Sequence, residues 1–357
     1  RPVSALSDIQ RLVECESPTE DLAACGEVIT LAVEIANKLL KNKAEKITEN
    51  GRPVFWWGTK NPKILLLCHL DTVWPTGSFT PTWQINGDKA TGPGVFDMKT
   101  GFIQALYALV GIENAESKVA LVATTDEETG SATSKDLITK LSKGADAVLV
   151  FEASLDGKVK TGRKGTAMYQ IKVTGLAAHA GLEPEKGINA TTEIAKLVLQ
   201  ISALENPKFG TTAVPTVMKS GTTTNTVPAI ATLDIDVRSF TSAELERIDK
   251  SIKNLKSDIA KVEITGGINR PPLEESSTMA LYEKLEAVAA SLGFAKIGSA
   301  SVGGASDGNL AAAAGAKVLD GLGAEGHGAH APSEFIKIST LEPRIKLIHA
   351  FINELLK

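Results

Sequence analysis

The sequence predicts an α/β protein: a mixed-sheet layer domain with a smaller α+β, ferredoxin-like domain inserted into it. Three observations carry this. The apolar runs "KILLLCHL" (63–70), "KVALVATT" (118–125) and "DAVLVFE" (146–152) read as strands buried on both faces, with helical stretches between them. From residue 164 to 269 the pattern changes to alternating strands in the order β-α-β-β-α-β. The length, 357 residues, suits two cores better than one.

Ser4 to Cys15 and Glu20 to Leu40 carry apolar residues at helical spacing, with Thr19 as the N-cap of the second helix. "PVFWWGT" (53–59) is a short strand, and 63–70 is the first fully buried one. "GFIQALYALVGI" (101–112) is helical, 118–125 a strand, Ser131 to Leu141 a helix, and 146–152 a strand. In the inserted block, 165–175 alternates as a half-exposed strand. A helix from Asn189 to Leu204, strands 212–221 and 230–240, a helix from Ser242 to Leu255 and a strand 261–265 complete it. The outer domain resumes after Pro271-Pro272 and ends in a helix from Leu341 to Leu356. The predicted boundaries are therefore 1–163 with 270–357, and 164–269.

Bulk properties exclude several classes. With 38 basic and 42 acidic residues the net charge is -4, which argues against nucleic acid as a partner. No apolar run approaches the roughly 20 residues that span a bilayer, so no membrane partner is expected. Cys15, Cys25 and Cys68 are too few for a disulfide framework and form no CxxC pair, so they read as reduced or buried thiols. No leader pattern is visible, and the expected location is cytoplasmic. Because the first residue is Arg1, a secreted or periplasmic origin stays open.

The candidate chemistry lies where the buried strands end. His69 and Asp71, two apart in extended chain, share a face, so Asp71 can stand behind the imidazole as such partners of ligating histidines do. Asp97 precedes a helix among glycines, Asp126, Glu127 and Glu128 crowd the end of one strand, and Glu152 ends another. His327 and His330 lie on a Gly-rich loop. Each has a plain structural alternative: a surface turn, a helix N-cap, a solvated acidic turn, a solvated loop histidine. Together they lie on the edge of an α/β sheet where such folds build sites. The mixed N/O donor set without cysteine suits zinc or a similar divalent ion, and the surplus of carboxylates suits two ions.

These residues resemble a family of dinuclear zinc peptidases and deacylases that includes glutamate carboxypeptidases, acetylornithine deacetylase, succinyl-diaminopimelate desuccinylase and aminoacylase. The blocks "HLDTV", "GPGVFDMK", "TDEETGS", "FEAS", "VTGLAAHAG", "NTVPAIATLDIDVR", "GGASDGN" and "GAHAPSE" occur in the family's order, from about residue 60 to the C-terminus. Several are most similar to the carboxypeptidase G type. The resemblance implies two Zn2+ per subunit, with Co2+ or Mn2+ as substitutes. His69, Asp97 and Glu152 would hold one ion, and Asp97, Glu128 and His330 the other, Asp97 bridging. It implies that Asp71 orients His69, that Glu127 is the general base, and that the Asp97-Met98 peptide is cis. The inserted domain would be a lid and dimerisation domain. It would bring His179 to the oxyanion from a partner subunit, and Asn225 and Arg238 to the substrate's oxyanion or carboxylate. The Gly303-Gly304 turn, in the outer domain by these boundaries, could present backbone N–H groups to the same carboxylate, as anion-binding turns do.

The implied activity is hydrolysis of an amide bond next to a free carboxylate in a peptide or acyl-amino-acid substrate, by a homodimer. An N-acyl-amino-acid deacylase, a dipeptidase, and a metal- or ligand-binding protein without turnover are the alternatives. Two positions depart from the family pattern. Cys68 stands where many relatives have Gly, and its side chain is expected on the face opposite His69. His327 is an additional histidine, read as solvated.

Overall fold

The apolar run 63–70 becomes strand Ile64–His69, buried at every residue, in a computed structural model that describes residues 4–357. It runs parallel to Val119–Thr124 on one side and Ala147–Val150 on the other. Burial on both faces is why these strands are apolar throughout. Val318–Leu319 continues the parallel side. Arg52–Gly58 and Glu45–Glu49 add antiparallel strands at the opposite edge, completing a mixed six-stranded sheet. Helices Ala5–Glu14, Leu22–Leu39, Thr100–Ala108, Met279–Ser291 and Leu341–Leu355 pack with it into one core. Phe55, Leu66, Phe102, Phe151 and Phe351 are fully buried there, and the Phe55 and Phe102 rings meet edge to face at 5.0 Å.

The parallel register has one consequence for the site. His69 pairs with Thr124 and Leu67 with Val150. The segments just beyond these strands, with Asp71, Asp126–Glu128 and Glu152, therefore leave the same edge of the sheet. A second, four-stranded sheet of Gln84–Asn86, Lys89–Thr91, Phe335–Lys337 and Gly326–His327 frames the turn that carries His330.

The chain separates into two units. One runs through Gly162 and resumes over Glu274–Val302 and Ser306–Lys357; the other is Arg163–Leu273 with Gly303–Ala305. The second unit holds strands Gly165–Thr174, Thr212–Ser220, Ile230–Ser239 and Lys261–Arg270 in one antiparallel sheet. The third strand pairs with both the first and the second, and the fourth lies beside the first. Helices Ala190–Ser202 and Ser242–Lys253 are the connections, which gives the β-α-β-β-α-β arrangement. Alternation places Tyr169, Ile171, Val173, Leu233, Ile235 and Val237 under the helices.

Some local expectations are corrected. Thr19 does not cap the second helix: Asp21 does, accepting from the Ala24 N–H. Thr19 turns its hydroxyl to Asp71 instead. The helix expected from Ser131 begins at Lys135, because the Asp126 carboxylate draws Thr133 and Ser134 into a turn around it. The strand expected over 261–265 continues to Arg270, paired with Thr166–Thr174 and bulged between Ile268 and Arg270. Among the described residues no helix is long and apolar enough to cross a membrane, and Cys15, Cys25 and Cys68 are free thiols.

Candidate active site

His69 is 1% exposed. Its Nδ1–H donates to the Asp71 backbone carbonyl at 3.0 Å, with Asp71 Oδ1 at 3.2 Å. The Asp71 carboxylate also accepts from the Thr19 hydroxyl (2.7 Å) and the N–H groups of Glu128 (3.1 Å) and Glu127 (3.3 Å). One buried aspartate thus fixes both the imidazole and the acidic turn. With Nδ1 engaged, the ring turns Nε2 into the site. There Glu152 Oε1 lies at 3.1 Å, Asp97 Oδ1 at 3.2 Å and Glu127 Oε2 at 3.4 Å, yet Nε2 forms no hydrogen bond with any of them.

Asp97 sits in an irregular turn, Val95–Lys99, whose Asp97-Met98 peptide is cis. Gly94 opens that turn at φ 74°, and a Cβ there would meet Thr72 Cγ2 at 2.4 Å, so the chain requires glycine. Asp97 Oδ2 lies 3.0 Å from His330 Nε2, which is also 3.2 Å from Glu128 Oε2. Each Asp97 oxygen therefore faces a different histidine. His330 itself adopts φ 63°, left-handed backbone that few non-glycine residues take.

The electrostatics are those of a site short of positive charge. Burial pushes the Glu127 carboxyl well above its ordinary value, with Glu152 and Asp307 adding to the rise against His69. Burial likewise raises Glu128, to about 7, against the hydrogen bond from His330. Burial alone would lower His69, but the carboxylates of Glu152 and Glu127 hold it well above its usual range. Hydrogen bonds that His330 donates to the Asp97 and Glu128 carboxylates raise it to about 10. Left to its side chains, the site balances its carboxylates with protons. Three buried ligand-type atoms, His69 Nε2, Asp97 Oδ1 and Glu128 Oε1, have no hydrogen-bond partner. Such atoms are costly unless something coordinates them. His69, Asp97 and Glu128 converge as one potential cation-holding group, and His69, Glu127 and Glu152 as another. The donor set of imidazole nitrogens and carboxylate oxygens fits divalent cations.

The three acids of the 126–128 turn differ in kind. Asp126 faces away, accepting from Thr133 and Ser134 through backbone and hydroxyl, so it holds the turn rather than facing the site. Ser131 continues the bracing with a 2.5 Å hydrogen bond to Asp307. The sequence reading missed Thr19, Ser131 and Glu334. Glu334 lies in the "GAHAPSE" block, but a carboxylate that serves backbone N–H groups leaves no spacing signal. His327 pairs with Asp156 at 2.7 Å on the exposed surface, and Cys68 packs into the core.

The remaining candidates belong to the second unit and separate into two groups. His179 bridges to Thr226, and the Asn225 carbonyl accepts from Ala180 N–H at 2.8 Å, so these loops meet. His179 Nδ1 accepts from the N–H groups of Gly181 and Leu182, both 3.1 Å, which leaves the ring proton on Nε2. Arg238 lies toward the other end of strand Ile230–Ser239 and is paired with Asp236 at 3.0 Å. That end also holds Gly304, whose carbonyl accepts from Arg163, two residues before the Gly165 that pairs with Ser239. No atom lies within 4 Å of the position a Cβ would take at Gly303.

The pattern of Peptidase family M20/M25/M40 matches residues 65–354. Carboxypeptidase G2 of Pseudomonas sp. (strain RS-16) is 31% identical, over 99% of this chain and 89% of its own length. Acetylornithine deacetylase of Proteus mirabilis is 28% identical, over 52% of each. Among solved structures, aminopeptidase PepT from Bacillus cereus superposes with a TM-score of 0.81 at 20% identity, over 99% of this chain and 98% of that one. The M20 family metallo-carboxypeptidase Sso-CP2 from Sulfolobus solfataricus gives 0.70 at 20% identity, over 99% of each. With its candidate metal centre at the sheet edge, this chain is a hydrolase belonging to peptidase family M20/M25/M40.

Proposed function

We propose that this protein is a dinuclear zinc exopeptidase that cleaves an amide bond next to a free carboxylate, with C-terminal glutamate as the favoured residue. The observation that carries the cation-dependent reading is the set of three buried, unpartnered atoms, His69 Nε2, Asp97 Oδ1 and Glu128 Oε1. The near-complete alignment with carboxypeptidase G2 supports the carboxypeptidase side of it. In this reading His69, Asp97 and Glu152 hold one cation, and Asp97, Glu128 and His330 the other. Co2+ or Mn2+ could replace zinc on the same donors. Bound cations supply polarisation of the scissile carbonyl and a lowered water pKa.

The side chains do the rest. Asp71 keeps the His69 ring oriented. Glu127, beside the ligands, takes the proton of the attacking water on a carboxylate oxygen and returns it to the leaving amine nitrogen. His179 donates its Nε2–H to the developing oxyanion, with Asn225 beside it. Arg238 grips the substrate carboxylate, exchanging Asp236 for it, and the Gly303-Gly304 turn offers backbone N–H groups to the same anion.

The geometry of the second unit supports a dimer. From Ile230 to Arg238 the strand advances eight residues at about 3.3 Å each, about 26 Å in all. His179 and Asn225 adjoin the first end and Arg238 the last. A small substrate does not span that length, so the two groups serve one site only if one comes from a second subunit. The cytoplasm, where Cys15, Cys25 and Cys68 would stay reduced, fits this reading.

A panel of acyl-glutamates, other acyl-amino acids and dipeptides, assayed with zinc and with Glu127→Ala as control, tests the activity. Preferred turnover of acyl-glutamate that Glu127→Ala abolishes is expected; wild-type rate in that variant would refute the mechanism. Deacylase activity is the second reading, favoured by the partial match to acetylornithine deacetylase, and the same panel separates it. Mixing inactive Glu127→Ala and His179→Ala proteins tests sharing, since a mixed dimer retains one complete site and should regain activity.

A further inference from the structure

We propose that Glu334 is a positioning residue that sets the separation of Asp97 and His330, and through it the affinity of the cation they hold. The inference rests on the cation-binding reading above. Glu334 is 0% exposed, and both its oxygens are saturated by donors from elsewhere in the chain. Oε1 accepts from the N–H groups of Phe96 (3.1 Å) and Asp97 (3.0 Å). Oε2 accepts from the N–H of Gly94 (3.1 Å) and the indole Nε1–H of Trp74 (2.8 Å). Three of the four donors are the backbone of the very turn that presents Asp97.

The other end of the lever is just as fixed. Glu334 lies four residues beyond His330, through two tight turns, Ala331 N–H to the Gly328 carbonyl (2.9 Å) and Glu334 N–H to the Ala331 carbonyl (3.0 Å). Gly328, at φ 84°, has no room for a Cβ, which would fall 2.9 Å from the Glu334 nitrogen. A single buried carboxylate therefore locks two segments, about 230 residues apart, that carry the two partners of the 3.0 Å Asp97–His330 contact. Trp74 is itself held edge to face on Phe79 at 4.9 Å, so the fourth donor is pre-oriented. Outer partners of this kind typically change metal affinity by about 10- to 100-fold when removed.

Glu334→Gln tests this with little change of shape, because its amide nitrogen must face N–H donors. Zinc affinities of wild type, Glu334→Gln and His330→Ala are measured by chelator competition, with zinc per chain by elemental analysis and the melting temperature of each chelated protein. The expected result is two zinc ions on wild type and a loss of about 10- to 100-fold in affinity for one of them in Glu334→Gln. The ion affected most should be the one that His330→Ala also loses. Wild-type affinities in Glu334→Gln would overturn the role of Glu334 and leave the cation reading standing. A wild type that binds no zinc would overturn both. If Glu334→Gln does not fold, Trp74→Phe removes one donor while keeping an aromatic ring on Phe79. A smaller loss at the same site is then expected, and no change overturns the proposal.

Discussion

The two units treat buried charge in opposite ways. In the second, polar groups are matched locally: Glu244 accepts from Arg247 and Thr211, Tyr169 donates to Asp249, and Asp249 also pairs with Lys253. In the first, the sheet edge collects Asp97, Glu127, Glu128 and Glu152 around two histidines and leaves three ligand atoms without partners. The matched unit spends its polar groups on its own stability. The unmatched one keeps coordination capacity in reserve, and its conflict is resolved only by something bound there.

Several measurements would break or sharpen this contrast. The largest effect is expected at Glu127. Glu127→Ala should lower kcat by about 10²- to 10⁴-fold while zinc content stays at the wild-type level. Loss of zinc along with activity would make Glu127 a ligand instead of the base. Next is Arg238→Ala, which should raise KM for acyl-glutamate roughly 30-fold, the equivalent of about 2 kcal/mol for a charged hydrogen-bonded pair. An equal rise for an acyl-amino-acid amide, which lacks the free carboxylate, would show that it only shapes the unit.

Removing the cations should destabilise the first unit in a pH-dependent way. In the chelated protein the Glu128 carboxyl is raised from 4.5 to about 7, so the stability its proton contributes is full below about pH 4.5 and lost as pH rises to 7. His330, raised from 6.5 to about 10, contributes below 6.5 and loses that contribution as pH rises through 10. Both signs agree: chelated protein weakens as pH rises, whereas cation binding strengthens as ligands deprotonate. The gap in melting temperature between zinc-loaded and chelated protein should widen from about pH 5 to about pH 8. A constant gap would argue against these residues as ligands.

The smallest effect is expected in the second unit, from Glu244→Gln, at about 1 kcal/mol in denaturant unfolding with kcat unchanged. The Arg247 guanidinium holds the Glu244 carboxyl below its ordinary 4.5. That stability is present above pH 4.5 and lost on further acidification, the reverse of the chelated metal edge.

Much of this was legible along the chain. Runs 63–70, 118–125 and 146–152 are apolar throughout because both faces of their strands are covered, and the alternation of 165–175 and 230–240 reports a sheet covered on one face. His69, Asp71, Glu127, Glu128 and Glu152 could be picked out because parallel strands deliver their C-terminal ends and the adjoining turns to one edge, whereas Asp97 and His330 lie on Gly-rich loops and took their roles from the family resemblance. Residue type alone did not tell Asp126 from its neighbours, since which way three consecutive acids point depends on turn geometry; the resemblance separated them by giving roles to Glu127 and Glu128 only. Thr19 was misread because a cap and a carboxylate partner demand the same hydroxyl.

By itself, then, the sequence determined the layer order, the inserted β-α-β-β-α-β block and the residue types available at the strand ends, because burial and periodicity are written locally. Only the tertiary structure decided which oxygen of Asp97 faces which histidine, that Glu334 ties the turns of Asp97 and His330 together, and that the His179 loop meets the chain just before the strand whose far end carries Arg238. Those are distances between segments far apart in the chain, and no local preference encodes them.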